Sequence, residues 1–311
     1  MWLWVDPTRR CNISCRLCYA RPGQAPQDLS PQVFATLLDR IEGSSEHRIC
    51  ELTLNWRGEP LMNPAFEDLL HILRARGVTY PVQFHTNCTL LTPGRARKLI
   101  QAIGTMPSRI YLSLDGGSRA SHDANRGVGT FQRAVTGALS LVSARGRRRT
   151  PRLILYQLDL GVPYRSYHPG FKRLIGVTDA WQMVRPELPG DWTAIRMDLP
   201  SSRGARALLS LRSPGRVPPG PCFWAGNSLA IAPNGDASIC VLSNRHDGVL
   251  GNVLTEPVDH ILDRARNWRA RLLEDGRVHV PHCASCEKPE GGGALPHSEV
   301  AVSTDTLTQE A

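Results

Sequence analysis

Short apolar runs alternate with amphipathic stretches over the first two-thirds of the chain. Leu3–Val5, Cys50–Asn55, Val82–His85, Ile110–Leu114, Leu153–Leu158 and Ala180–Val184 read as short buried strands. Between them lie segments with helix start signals. Ser30-Pro31 offers an N-cap and a proline at the first helical position, followed by Val33, Leu37, Leu38 and Ile41 at helical spacing. Thr92-Pro93 repeats the signal before Leu99, Ile100 and Ile103. Gly129-Thr130 precedes a third helix with Phe131, Val135, Leu139 and Leu141. Repeated β–α units predict an α/β fold with a parallel sheet, open or curled into a barrel.

The pattern breaks at 187–221. Pro186-Glu187-Leu188-Pro189-Gly190 and the stretch from Ser213 to Pro221 are rich in turn formers and read as a linker. A second module follows. Leu229–Ala232, then Pro233-Asn234-Gly235-Asp236, then Ala237–Val241 is a hairpin signature, because Asn-Gly suits a tight reverse turn. A helix is expected over Asp259–Leu273. After Cys286 the chain is polar, with Gly291-Gly292-Gly293, and is expected to be a flexible tail. The expected division is a partial barrel over 1–190, a linker over 191–221, a small Cys-bearing hairpin–helix module over 222–290 and a tail over 291–311.

Composition narrows the function classes. The 311 residues hold 41% hydrophobic and 21% charged residues, ordinary for a soluble globular protein. No apolar run nears the roughly 20 residues of a membrane span. Met1–Asp6 lacks the basic and apolar regions of a signal peptide. A cytoplasmic location without a membrane partner is therefore expected. The formal charge of +9 invites a nucleic-acid reading, but only three of the 37 basic residues are lysines. The densest basic run, Arg145–Arg149, falls where a helix should end, where it complements the helix dipole and stays solvated. Nucleic acid is not an expected partner.

The nine cysteines are unevenly placed. In a reducing compartment clustered thiols bind metal more often than they form disulfides. Cys11, Cys15 and Cys18 follow the first strand. Three thiolates at this spacing can serve a four-iron cluster and leave one iron open to a ligand. Zinc is the competing reading, although a structural zinc site wants four ligands and no histidine lies near Cys18. Cys222, Cys240, Cys283 and Cys286 form a second set. Four thiolates close a tetrahedral zinc site or fully ligate a four-iron cluster, and on spacing alone zinc is favoured. His279 and His282 are then bystanders. Cys50, at the start of a strand, is expected to be a small core hydrophobe. Cys88, in His85-Thr86-Asn87-Cys88 after the third strand, is either a loop residue without chemistry or a thiol facing substrate at a barrel mouth.

Thr8-Arg9-Arg10-Cys11-Asn12-Ile13-Ser14-Cys15-Arg16-Leu17-Cys18-Tyr19 resembles the cluster loop of the radical SAM superfamily. That resemblance implies a partial (β/α)6 barrel of the TIM type and S-adenosylmethionine (SAM) on the open iron. It also implies hydrogen abstraction by a 5′-deoxyadenosyl radical. Leu17 departs from the aromatic residue usual there, and Tyr19 is expected to pack near the adenine in its place. Trp56-Arg57-Gly58-Glu59-Pro60 is similar to the family's Gly-Gly-Glu-Pro motif, with Arg57 for the first glycine. It implies that Gly58 and Glu59 meet the methionyl ammonium. Ser113-Leu114-Asp115-Gly116 is similar to the segment that meets the SAM ribose. His122-Asp123-Ala124-Asn125-Arg126-Gly127 resembles a motif whose arginine, Arg126, pairs with the SAM carboxylate. The family usually has glycine at the position of Cys88.

The second cysteine set resembles the Twitch module, the short form of the SPASM domain. Pro221-Cys222, Gly235–Cys240, Leu250-Gly251-Asn252-Val253 and Cys283-Ala284-Ser285-Cys286 carry that likeness. It implies an auxiliary [4Fe–4S] cluster held by Cys222, Cys240, Cys283 and Cys286, besides the SAM-binding cluster of Cys11, Cys15 and Cys18. With no vacant iron, its expected task is electron transfer. The layout resembles dehydrogenases of the 2-deoxy-scyllo-inosamine type in aminoglycoside biosynthesis. The leading expectation is oxidation of a hydroxyl on a sugar or aminocyclitol, with electrons from a flavodoxin- or ferredoxin-type reductant. Tyr156, Asp159, Arg185 and Glu187 are candidate bases, with Arg185 and Cys88 carried as catalytic candidates. The alternatives are an epimerase using Cys88 as hydrogen donor, a peptide maturase, and a zinc-held adaptor. Against the maturase, only ten residues precede Cys11, so no leader-binding domain is expected.

Overall fold

A computed structural model describes residues 1–18, 25–44, 48–184, 225, 228–241, 248–276 and 283. In chain order the elements are β1 (Trp2–Val5), α1 (Pro31–Glu42), β2 (Glu51–Thr53), α2 (Phe66–Ala75), β3 (Val82–Thr86), α3 (Pro93–Ile103), β4 (Ser108–Ser113), α4 (Arg119–Arg126), α5 (Thr130–Arg145), β5 (Arg152–Leu158), α6 (Pro169–Val177), β6 (Ala180–Val184), β7 (Ser228–Ile231), β8 (Asp236–Ser238), β9 (Val249–Asn252) and α7 (Val258–Glu274). Through β6 this is the β–α succession with parallel strands that the alternating pattern predicts, in the order of the partial (β/α)6 barrel that the resemblance implies. Tyr19, Arg185, Glu187, Cys222, Cys286, the linker and the tail lie outside the described residues. Among the described residues no helix is long and apolar enough to cross a membrane.

The chain forms two compact units. One comprises Met1–Asn12, Tyr19–Phe84 and Gly215–Pro296, and the other Ile13–Cys18, His85–Pro214 and His297–Ala311. In the first, β1 has a parallel neighbour on each side. Trp2 to Trp4 pair with Glu51 to Thr53 of β2, and Trp2 to Val5 pair with Ser228 to Ile231 of β7. Beyond β2 runs β3, and beyond β7 the antiparallel strands β8 and β9. Ser30 caps α1 through the Val33 N–H at 3.2 Å, and Phe34, Leu37, Leu38 and Ile41 are the face it buries. Phe84 of β3 meets Phe66 of α2 edge-on, with ring centroids 5.0 Å apart. By strand alternation Gln83 points the other way, and its amide donates to Glu51 Oε1 at 2.7 Å and Thr53 Oγ1 at 3.1 Å.

In the second unit β4, β5 and β6 are parallel, with Ser113 opposite Tyr156 and Tyr156 opposite Gln182. Thr92 caps α3 through the Arg95 N–H at 3.2 Å, and Leu99, Ile100 and Ile103 are buried as their spacing predicts.

Two expectations are corrected. Cys50 is exposed rather than a core residue. It stands one position before β2, where its Sγ accepts from the N-terminal ammonium at 3.4 Å. The basic run after α5 is solvated only from Arg147 onward. Arg145 is buried because Asp179, before β6, pairs with its guanidinium.

Candidate functional site

The second unit holds two of the three N-terminal cysteines on the turn Ile13–Cys18. The turn closes through the Cys18 N–H on the Cys15 carbonyl at 3.3 Å. Asn125, on the last turn of α4, grips it from outside. Its carbonyl accepts the Arg16 N–H at 2.7 Å, and its Oδ1 accepts the Leu17 N–H at 3.0 Å. The Asn125 amide donates in turn to Asp115 Oδ2 at 2.6 Å.

Asp115, just past β4, is fully enclosed. Arg126 donates to it from Nε at 2.5 Å and from Nη2 at 3.1 Å, and the Leu158 N–H adds a bond at 3.3 Å. Burial alone would raise the Asp115 pKa. The Arg126 guanidinium wins and holds the carboxyl below its ordinary range. Burial opposes the charge on Arg126 too. Asp115 keeps it protonated, with smaller help from the Cys15 and Cys88 thiols. The two residues expected to meet different parts of SAM are thus joined to each other. Asp115 spends its oxygens on Arg126, Asn125 and the Leu158 amide.

His122 lies beneath this pair. Its Nδ1 accepts the Asp115 N–H at 3.1 Å, so its proton sits on Nε2. Burial, and then Arg126, push its pKa down to about 4. Ser113 ends β4 and is buried beside the strand position of Tyr156. Tyr156 is half-buried and meets His85 edge-on at 4.8 Å between ring centroids, while His85 stacks on Tyr111 at 4.4 Å and 8°. This His85–Tyr111–Tyr156 group has no local sequence signal beyond its positions on successive strands.

Cys88 adopts a left-handed backbone with φ 63°, which explains the glycine usual at such a position. Its thiol is fully enclosed and donates to the Thr86 carbonyl at 3.5 Å. Gly137 of α5 lies so close that a Cβ there would come within 2.0 Å of the Cys88 oxygen.

The first unit holds Cys11, exposed at the end of a braced segment. Thr8 Oγ1 donates to Asp28 Oδ1 at 2.6 Å, and Arg10 forks onto the same carboxylate at 3.0 and 2.5 Å. Gly58 fits against this segment only because it lacks a side chain. A Cβ would stand 2.1 Å from the Thr8 oxygen and 2.6 Å from that of Arg10. The Glu59 N–H donates to the Arg10 carbonyl at 2.9 Å, and buried Glu59 Oε1 accepts from the Leu61 N–H at 3.4 Å. Arg57 turns away from this edge. Its N–H and Nε donate to enclosed Asp6 at 3.3 and 3.1 Å, and its guanidinium lies 3.8 Å over the Trp56 ring. Burial pushes the Asp6 pKa up to about 6 against the pull of Arg57. In the same unit Cys240 and Cys283 are buried.

Among the described residues no three side chains of the His, Cys, Asp and Glu type gather as a single-ion site requires. A cluster is a different case, because each of its irons takes its own thiolate.

The radical SAM superfamily profile matches residues 5–156, and the SPASM iron–sulfur cluster-binding profile matches residues 222–287. The mycofactocin maturase MftC of Mycobacterium tuberculosis (strain CDC 1551 / Oshkosh) is 32% identical over 139 residues, 44% of this chain. The match spans 33% of that maturase's own length. Among solved structures, anSMEcpe with bound AdoMet superposes with TM-score 0.61 at 15% identity, over 92% of this chain and 88% of that one. BtrN in complex with AdoMet and 2-DOIA superposes with TM-score 0.52 at 15% identity, over 91% and 90%.

Proposed function

Because the chain is a radical SAM protein with a SPASM-type iron–sulfur domain behind it, which implies SAM and two [4Fe–4S] clusters, we propose that it oxidises a hydroxyl of a sugar or aminocyclitol to a ketone. The observation that carries this reading is the second cysteine set. Cys222, Cys240, Cys283 and Cys286 could supply one thiolate to each of four irons, which would leave none vacant, so such a cluster suits an electron acceptor rather than a substrate ligand.

The first cysteine set fits the SAM-binding cluster. Cys11 is exposed and Cys15 and Cys18 are half-buried, so the thiols are open to a cluster. The Gly58 contact against Thr8 and Arg10 and the Asn125 grip on Arg16 and Leu17 fix the backbone that carries them. When bound, SAM and its cluster supply a 5′-deoxyadenosyl radical, which takes a hydrogen atom from a substrate carbon.

The chain's own residues do the rest. Arg126, aimed by Asp115, offers a guanidinium to a carboxylate ligand such as that of SAM. Glu59 offers the acceptor for its ammonium. Tyr156, half-buried and ordered by the His85 ring, would relay the hydroxyl proton, accepting it as its own phenol proton passes to solvent, and an auxiliary cluster held by Cys222, Cys240, Cys283 and Cys286 would serve as acceptor for the substrate's second electron. A flavodoxin- or ferredoxin-type reductant supplies the starting electron. Cys88 does not serve as hydrogen donor on this reading, because its thiol is enclosed and turned to Thr86.

A second reading, oxidation of a peptide, draws support from the MftC alignment. The test is the anaerobically reconstituted protein with SAM, dithionite and a panel of aminocyclitols, amino sugars and short peptides, in heavy water. The expected result is a small-molecule product lighter by two hydrogens, one 5′-deoxyadenosine per product, and no solvent deuterium. Deuterium gained at carbon with no loss of two hydrogens means epimerisation, and oxidation of peptides alone means a maturase. Either result overturns the proposal.

A further inference from the structure

The hairpin that leads into Cys240 is tied to the segments that carry Cys11 and Glu59 at three points. The first is the backbone: β7 runs beside β1, and the Asp6 N–H extends that pairing to the Ile231 carbonyl at 2.9 Å. The second is the turn, where Arg9 Nη2 donates to Asn234 Oδ1 at 3.4 Å and the Asp236 carboxylate acts on the same guanidinium. The third lies past β8. The Trp56 indole N–H donates to the carbonyl of Val241, the residue after Cys240, in a buried contact. Trp56 also packs with Ala230, Ala232 and Val241.

Trp56 is held from its other side. The Arg57 guanidinium covers its ring and is fixed by Asp6, and Gly58 leaves the following backbone no room to shift. The residue that departs from the Gly-Gly-Glu-Pro pattern therefore has a structural task away from SAM. A carbonyl anchored one residue from a thiolate ligand restricts where that thiolate can stand. The environment of an iron–sulfur cluster, its hydrogen bonds and its exposure to water, sets its reduction potential.

We propose that Trp56, locked by Arg57, is a positioning residue for Cys240 and so tunes the auxiliary cluster from the same short segment that ends in Glu59. The proposal rests on the two-cluster reading of the chain.

The test is Trp56→Phe in the full-length, reconstituted holoenzyme, read by EPR and by redox titration of both clusters. Phenylalanine keeps the ring and removes the N–H. The loosened hairpin admits water, which favours the more negatively charged reduced cluster. The expected result is a less negative midpoint and altered g-values for the auxiliary cluster, with the SAM-induced change in the first cluster's spectrum retained. A purely structural role would lower the thermal midpoint and leave both cluster potentials in place, and that result overturns the proposal. Arg57→Gln keeps the indole donor but removes its cover, so a smaller shift in the same direction is expected. If Trp56→Phe does not fold, Arg57→Gln decides, and an unmoved auxiliary midpoint overturns the proposal. A wild-type protein that holds only four irons removes the two-cluster premise itself, and iron analysis distinguishes that failure from the others.

Discussion

Asp115 and Arg126 form a forked ion pair in which the carboxylate is fully enclosed and the guanidinium is one-tenth exposed. The enclosed carboxylate fixes the direction in which the guanidinium points. Removing one partner of a buried pair leaves the other charge uncompensated, at a cost of about 3–5 kcal/mol. Asp115→Asn should therefore lower the thermal midpoint and weaken SAM binding together, as calorimetry and equilibrium binding would report. Arg126→Lys keeps the charge without the fork, so it should spare more of the stability than of the SAM affinity. Equal effects from both variants would count against this division of labour.

His122 predicts an acid limit to stability. Its pKa falls from 6.5 in the unfolded chain to about 4 in the folded one, chiefly through burial. Above pH 6.5 both states are neutral and the site costs nothing. As pH falls toward 4 the unfolded chain takes up a proton that the folded one refuses, and up to about 3 kcal/mol of stability is lost. In urea titrations at several pH values, wild type should lose stability relative to His122→Gln as pH falls below 6.5, because glutamine offers an acceptor to the Asp115 N–H without titrating; a difference independent of pH would refute this.

Gly58 predicts a steric failure. An added methyl would meet two backbone oxygens, neither of which can rotate away. Gly58→Ala should cost at least the roughly 1–3 kcal/mol of ordinary overpacking. It should also reduce the iron held after reconstitution, since the displaced backbone runs straight into Cys11. Iron analysis and the melting temperature check both parts.

Cys88 predicts an absence of effect. Its thiol is enclosed, so Cys88→Ala should retain oxidation and still bring no solvent deuterium into product. Its left-handed backbone costs a non-glycine residue about 1 kcal/mol. Cys88→Gly should consequently fold without the loss expected of a core truncation. Gly137→Ala, by contrast, should be strongly destabilising, because its Cβ would strike the Cys88 carbonyl.

Local signals carried much of the fold. Ser30-Pro31 and Thr92-Pro93 marked helix starts that the structure caps with those same hydroxyls. Spacing placed Cys11, Cys15 and Cys18 on a loop after β1, and Cys240 lies just past β8. Local signals failed where a partner distant in sequence decides. Cys50 looked like core from its apolar strand neighbours, yet β2 begins one residue later. Arg145 looked like one cation among several until Asp179 claimed it. The grip of Asn125 on Arg16 and Leu17 links positions 108 apart, and no periodicity announces such a bond. The helix α2 escaped notice because Ala65, at its start, offers no capping side chain.

The place of β1 between β2 and β7 has a consequence for anyone dividing this chain. The profile of the N-terminal family stops at residue 156, which invites expression of that part alone. Such a fragment lacks β7, and Trp2-Leu3-Trp4-Val5 would then present a bare, apolar edge with unmet hydrogen bonds. Edges of that kind recruit other chains. The fragment should aggregate where the whole protein does not, so the C-terminal module acts as the N-terminal sheet's border as well as the holder of the auxiliary cluster.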